Sequence, residues 1–203
     1  MERLPINEKD VQNILRNKEK LKVGIHRKMY FINRDMSQDD EMYELVAYPS
    51  AEVSDVPRRK GWHKDLGDVV LKYKALLEER KSEYQEFLWE LVLQEEQINR
   101  VWLCFMALND PCFSILECMY VHGEKYETAL LQSGYSRQVF EKYRKRGLDA
   151  ILLLYNSDQT SQQLNIVSNY AEKQRFEAKK ETILEVSNQQ ISMDDIFSKL
   201  EEQ

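Results

Sequence analysis

Glycine and proline are scarce in this chain, six and four among 203 residues, and alternating runs of β-branched residues are scarce as well. With so few turn-formers and so little two-residue periodicity, a sheet is not expected and an all-α fold is. No apolar run approaches the roughly 18 residues of a membrane span. The opening MERLPINEKD also lacks the apolar centre of a secretory leader, so a cytoplasmic protein with no membrane partner is expected. Cysteine is limited to Cys104, Cys112 and Cys118, an odd number in apolar helical surroundings, which suits reduced thiols better than a disulfide framework.

Catalytic signatures are missing too. There is no phosphate-cradling glycine loop, no HExxH pair and no Gly-x-Ser-x-Gly elbow, and the three histidines are too scattered to pair with an orienting carboxylate. Cys118 and His122 stand one helical turn apart, but no CxxC knuckle accompanies them, so no metal site is expected. These absences argue against an enzyme, and no catalytic residue or cofactor is assigned.

What is abundant is charge, 32% of the residues with a net of −6, and it is unevenly spread. The stretch Leu108–Tyr155 concentrates the opposite sign. It parses as three helices separated by two breaks. Asn109-Asp110-Pro111 reads as a helix start, with a polar cap and Pro at an early helical position. Phe113, Ile115, Leu116, Met119 and Tyr120 follow at helical spacings up to Gly123. A shorter helix, Tyr126 to Gln132 with Ala129 and Leu130 inward, stops at Gly134, and a third begins at Ser136 and runs to about Tyr155. The last two with the Ser133-Gly134-Tyr135 turn form a helix-turn-helix pattern.

The first turns of the third helix, SRQVFEKYRKR, carry five cations, Arg137, Lys142, Arg144, Lys145 and Arg146, against one acid, Glu141. Positive charge gathered on one segment of an acidic chain suits phosphate neutralisation. Val139, Phe140 and Tyr143 are expected to hold the inner side. Arg137, Gln138, Glu141, Lys142 and Lys145 fall outward, where Arg and Gln can make bidentate contacts to guanine and adenine edges. The expected double-stranded-DNA contacts are therefore Ser136, Arg137, Gln138, Glu141, Lys142, Arg144, Lys145 and Arg146. The competing reading is a solvated basic face on an ordinary helix.

On these residues the segment resembles sigma-factor region 4 and, more closely, the C-terminal domain of the ArpU/RinA-like phage transcriptional regulators. The shared positions are Leu116, Tyr120, His122-Gly123, Ala129, Gly134, Ser136, Arg144 and Leu148. The resemblance continues weakly upstream through PRRKGWHKDLGD and the long helix after it. It implies a DNA-binding protein acting on phage late or packaging genes.

The rest of the chain is expected to support this element. Asn7 to about Asn33 reads as a first helix, opened by an Asn7/Asp10 capping box, with Val11, Ile14, Leu21, Ile25 and Ile32 on one stripe. Asp35–Val56 is acidic and ends at Pro57, which reads as a loop with a short helix near Glu41–Ala47. Arg58, Arg59, Lys60 and Lys64, in a basic loop at 57–64, are candidate phosphate clamps beside a duplex. The alternative there is a solvated connector.

Gly67–Leu108 is the longest regular segment. Val70, Leu77, Tyr84, Leu91, Ile98 and Phe105 recur every seventh residue, and Tyr73, Arg80, Phe87, Gln94, Val101 and Leu108 hold a second position. This predicts a long, coiled-coil-like helical hairpin with the first helix. Val70, Leu77, Tyr84, Leu91 and Ile98 are the expected oligomerisation seam of a homodimer; a purely intramolecular bundle is the alternative. Asn156–Asn165 reads as a polar linker. The acidic tail after it carries a patchy helical face, and a last short amphipathic helix starts near Ser192, suited to packing back on its own dimer or to docking on a partner.

The expected divisions are thus a hairpin region, 1–107, a helix-turn-helix domain, 108–155, and a linker with a helical tail, 156–203. The expected function is a sequence-specific regulator binding DNA as a dimer. Two other readings stand beside it. One is a small terminase subunit or packaging adaptor, which would assemble as a ring. The other is a phage inhibitor of a host nucleoprotein, a polymerase or a CRISPR nuclease, whose basic channel Asp39-Asp40-Glu41 and the acidic tail would occupy.

Overall fold

A computed structural model of the chain describes residues 3–47 and 66–201, with side chains over 3–39 and 71–181. Among the described residues there are six α-helices and no strand: α1 (Glu8–Ala47), α2 (Leu66–Met106), α3 (Cys112–Leu116), α4 (Tyr126–Ser133), α5 (Arg137–Asn156) and α6 (Ser161–Glu201). The all-α expectation and the packing of two long helices on each other are both observed. The chain divides into two compact units, residues 1–4 with 19–96 and residues 5–18 with 97–203. This division cuts α1 and α2.

The capping box that opens α1 is reciprocal. Asn7 N–H donates to Asp10 Oδ2 at 3.1 Å and Asp10 N–H to Asn7 Oδ1 at 3.0 Å, satisfying two first-turn donors. Asn17 leaves the helical region (φ −123°, ψ 17°) close to where the two units divide. Contrary to expectation, α1 does not end near Asn33. It continues to Ala47; Met36, Gln38, Glu41, Met42 and Glu44 are good helix formers that offset the weaker Asp and Ser positions among them. The basic loop at 57–64, with Arg58, Arg59, Lys60 and Lys64, lies outside the described residues.

In the first unit α1 and α2 run antiparallel. His26 meets Glu95 at 3.0 Å and Asp39 meets Arg80 at 3.4 Å, so positions rise along one helix as they fall along the other. Ile25, Leu77 and Leu91 are buried between them, and Tyr84 is half-buried. The seam expected to join two chains is therefore turned inward within one: Leu77, Leu91 and, in the second unit, Ile98 are covered by their own chain. The side chain of Val70 lies outside those described.

The second unit holds the larger core. Arg175 on α6 donates through one Nη to the carbonyl oxygens of Met106, at 2.9 Å, and Leu108, where α2 ends, with its guanidinium 3.8 Å over the Phe113 ring. Burial pulls its pKa down against the raising influence of Asp110, Glu172 and Glu117. Arg100 on α2 does the same for α5, donating to Tyr155 O at 2.9 Å, Ser157 O at 3.0 Å and Leu154 O at 3.5 Å. A cation at each of these helix ends satisfies carbonyls that the helix cannot, and lies on the favourable side of its dipole.

Two further expectations are corrected here. Asn109 and Asp110 give α3 no side-chain cap. Instead Phe113 N–H bonds back to Asn109 O at 3.2 Å, and α3 widens into a π turn, Glu117–Val121, before Gly123. The expected linker shrinks to the break at residues 157–160, because Thr160 and Gln163 form a second reciprocal capping box at 2.9 and 3.3 Å that starts α6. From there one helix runs to Glu201, through the expected start near Ser192. Its first half buries Leu164, Ser168, Ala171 and Arg175 rather than trailing as a tether.

Candidate nucleic-acid interface

Gly134 decides the geometry at the end of α4. Its φ of +66° is left-handed, a conformation that costs glycine little, and it ends α4 with its N–H bonded to Leu131 O at 3.3 Å. Ser136 then enters α5 in an extended conformation without a side-chain cap, and the first bond back is Phe140 N–H to Ser136 O at 2.9 Å. The first-turn N–H groups of α5 thus lie at the positive end of the helix dipole with no side-chain oxygen capping them.

Below this turn Ile115, Ala129 and Phe140 form a small core with Cys118, Met119, Tyr126, Leu130 and Tyr143 packed around it. Tyr126 meets Phe140 edge-on at 5.3 Å, and Tyr135 of the turn lies 5.5 Å from Tyr143. Farther along, α5 approaches α3 closely at Gly147, where an added Cβ would stand 2.8 Å from Leu116 Cδ1 and 3.3 Å from Cys112 Cβ. Phe140, Gly147, Leu148, Ile151 and Tyr155 give α5 a continuous buried face.

The opposite face is basic. Gln138, Lys142, Lys145 and Arg146 lie there and are exposed; Ser136 and Arg137 are exposed as well, but at the helix start and on the same side as Phe140. Arg137 also lies 5.9 Å from the Tyr126 ring centre, which ties the start of α5 to the start of α4. Two of the expected contact residues are otherwise engaged. Arg144 is half-buried, donating to Glu141 Oε2 at 3.0 Å and to the Tyr120 hydroxyl at 2.9 Å. Burial would lower its pKa, but its bonds to Tyr120 and Glu141 outweigh that and raise it. Arg144 and Glu141 therefore brace α5 against the π turn. Val139, expected on the inner side, is 37% exposed, since one step along the helix from buried Phe140 rotates it about 100° outward.

A cleft of about 370 Å³ opens beside the turn, lined in part by Asp110, Ser114, Cys118, Gln132 and Tyr135. Cys118 Sγ contacts Gln132 Oε1 at 3.2 Å there, and His122 is exposed. Among the described residues no group of three or more His, Cys, Asp or Glu side chains is placed to hold a metal ion, and no helix is long and apolar enough to cross a membrane.

Compared with protein-family models, with curated proteins and with solved structures, the chain matches none. The basic face of α5 and the glycine turn before it are therefore the features from which a function is argued.

Proposed function

We propose that the chain is a sequence-specific DNA-binding regulator of the phage or prophage type, acting as a homodimer. In this reading α4, the Gly134 turn and α5 are its helix-turn-helix, and α5 is the helix that enters the major groove. The observation that carries it is the sidedness of α5: Phe140, Leu148 and Ile151 are buried on one side, while Gln138, Lys142, Lys145 and Arg146 are exposed on the other and Arg137 is exposed at the helix start.

The roles divide by chemistry. Gln138, with Arg137 at the helix start, reads base edges; Lys142, Lys145 and Arg146 neutralise phosphates; Ser136 and the first-turn N–H groups of α5 meet the backbone. Arg144 and Glu141 are positioning residues. The resemblance to regulators of late or packaging genes supplies the class of target. The inhibitor reading drew on Asp39-Asp40-Glu41 and on the acidic tail. Asp39 is ion-paired to Arg80 and the first half of α6 is packed; the side chains of Asp40, Glu41 and the rest of the tail lie outside those described.

Selection of bound duplexes from a random pool, followed by gel shifts at a stated salt concentration, tests the proposal. An enriched sequence held more tightly than its scrambled version is the expected result, with preference at one position relaxed in Gln138→Ala. Equal retention of both duplexes overturns it.

A further inference from the structure

The first unit leaves an apolar face uncovered. A groove of about 360 Å³ runs between α1 and α2, with Phe31, Ile32, Phe87 and Leu91 along it and Lys28 and Glu90 at its charged positions. Phe87 is 56% exposed and Phe31 43%, although two long helices packed side by side could have turned both inward. An antiparallel pair buries one stripe per helix, and an apolar band wider than that stripe calls for more helices against it.

The charges at the groove point to the occupant: Lys28 of α1 and Glu90 of α2 line it. They belong to a basic stretch of α1 between Glu19 and Asp35 (Lys20, Lys22, Arg27, Lys28 and Arg34) and an acidic stretch of α2 from 83 to 96 (Glu83, Glu86, Glu90, Glu95 and Glu96). Within the chain His26–Glu95 joins these two bands, and among the described residues neither Lys28 nor Glu90 has an ion pair. A surface that is basic on one helix and acidic on the next is complementary to itself after a two-fold rotation, which sets each basic band against the other copy's acidic band.

We infer that this groove is the homodimer interface, closed by a second copy of the same hairpin into a four-helix bundle in which Lys28 of each chain faces Glu90 of the other. The inference rests on and deepens the homodimer part of the proposed reading, and it centres the contact on the outward face at Phe31 and Phe87 rather than on the seam through Leu77.

Sedimentation equilibrium on the full chain without DNA tests it, so that its failure and the failure of the DNA-binding reading are separate results. A dimer whose affinity falls with salt is expected. Lys28→Glu or Glu90→Lys alone turns two attractions into two repulsions and weakens association about 30-fold, while the double variant recovers most of it. Phe87→Ala weakens association without loss of helical circular dichroism, which separates an interface effect from a folding one. A monomer at every concentration, a ring of many copies, or a dimer indifferent to both single exchanges and to Phe87→Ala overturns the proposal.

Discussion

The two units of this chain use their side chains in opposite ways. The second buries Tyr120, Phe105, Phe140 and Tyr155 almost completely and brings two arginines, Arg100 and Arg175, inside to finish helix ends. The first buries Ile25, Leu77 and Leu91 among its described residues and leaves Tyr30, Leu71, Leu76, Phe87 and Trp89 at least 48% exposed. Both units leave large apolar side chains exposed, the second at Leu131, Leu153, Ile166, Tyr170 and Phe176, but the second also encloses a large core of its own whereas the first buries few residues. Stability should therefore be lost by changing residues in the second unit, and association by changing residues in the first.

The largest expected effect follows from Arg100→Ala. It strips donors from the carbonyls of Leu154, Tyr155 and Ser157 and empties a buried site, with an expected cost of about 3 kcal/mol. Chemical denaturation should show a lower midpoint; an unchanged midpoint would mean that α5 needs no help at its C-terminal end. Gly147→Val comes next. Even a single added carbon stands 2.8 Å from Leu116 Cδ1 and 3.3 Å from Cys112 Cβ, so the buried Leu116 side chain must move, and the two further methyls of valine should bring the overpacking cost to about 2 kcal/mol. Phe87→Ala, in the first unit, should stay within about 0.5 kcal/mol of the parent when measured on the monomer. If it destabilises the monomer as much as Gly147→Val does, the contrast between the units fails.

Changes on the basic face should spare stability and divide by role. Gln138→Ala is expected to cost about 1–3 kcal/mol of discrimination at one base pair. Lys145→Ala should weaken all duplexes alike and reduce the salt dependence by about one phosphate contact. Arg144→Ala should behave differently from both, lowering stability through the lost bonds to Tyr120 and Glu141 and affecting DNA only as far as α5 shifts. A full binding defect with no change in melting would return Arg144 to the contact surface.

These contrasts also mark what the sequence could reveal. The Gly134 turn and the limits of α5 were legible because their causes are local: a glycine that can be left-handed, a serine before the helix and a run of bases at helical spacing. The Asn7/Asp10 box was legible for the same reason. Thr160-x-x-Gln163 carries the same signal and was overlooked inside a polar run that resembles a linker. The inward turn of the heptad seam was not legible, since an apolar stripe fits a partner in its own chain as well as one in another. Nor were Arg100 and Arg175, whose carbonyl partners lie on distant helices, or the pairing of Arg144, which depends on where the π turn sets Tyr120.

The smallest effect expected is in the response to alkali. All three cysteines belong to the second unit, and the thiols of Cys112 and Cys118 both have raised pKa values. Burial is the main cause in each. Arg146 partly opposes it at Cys112, while Glu124 and Glu117 add to it at Cys118. In the unfolded chain these thiols ionise first, so as pH climbs through the usual thiol range the folded form binds more protons than the unfolded one, and stability falls. Below that range the contribution is fully present; above the raised values it is gone. Hydrogen exchange followed unit by unit as pH is raised should then show protection declining in α3 to α5 before it declines in residues 19–39, once intrinsic exchange rates are corrected for. A Cys112→Ser, Cys118→Ser double variant should remove the difference. Equal decline in both units of the parent would mean that thiol ionisation does not distinguish them.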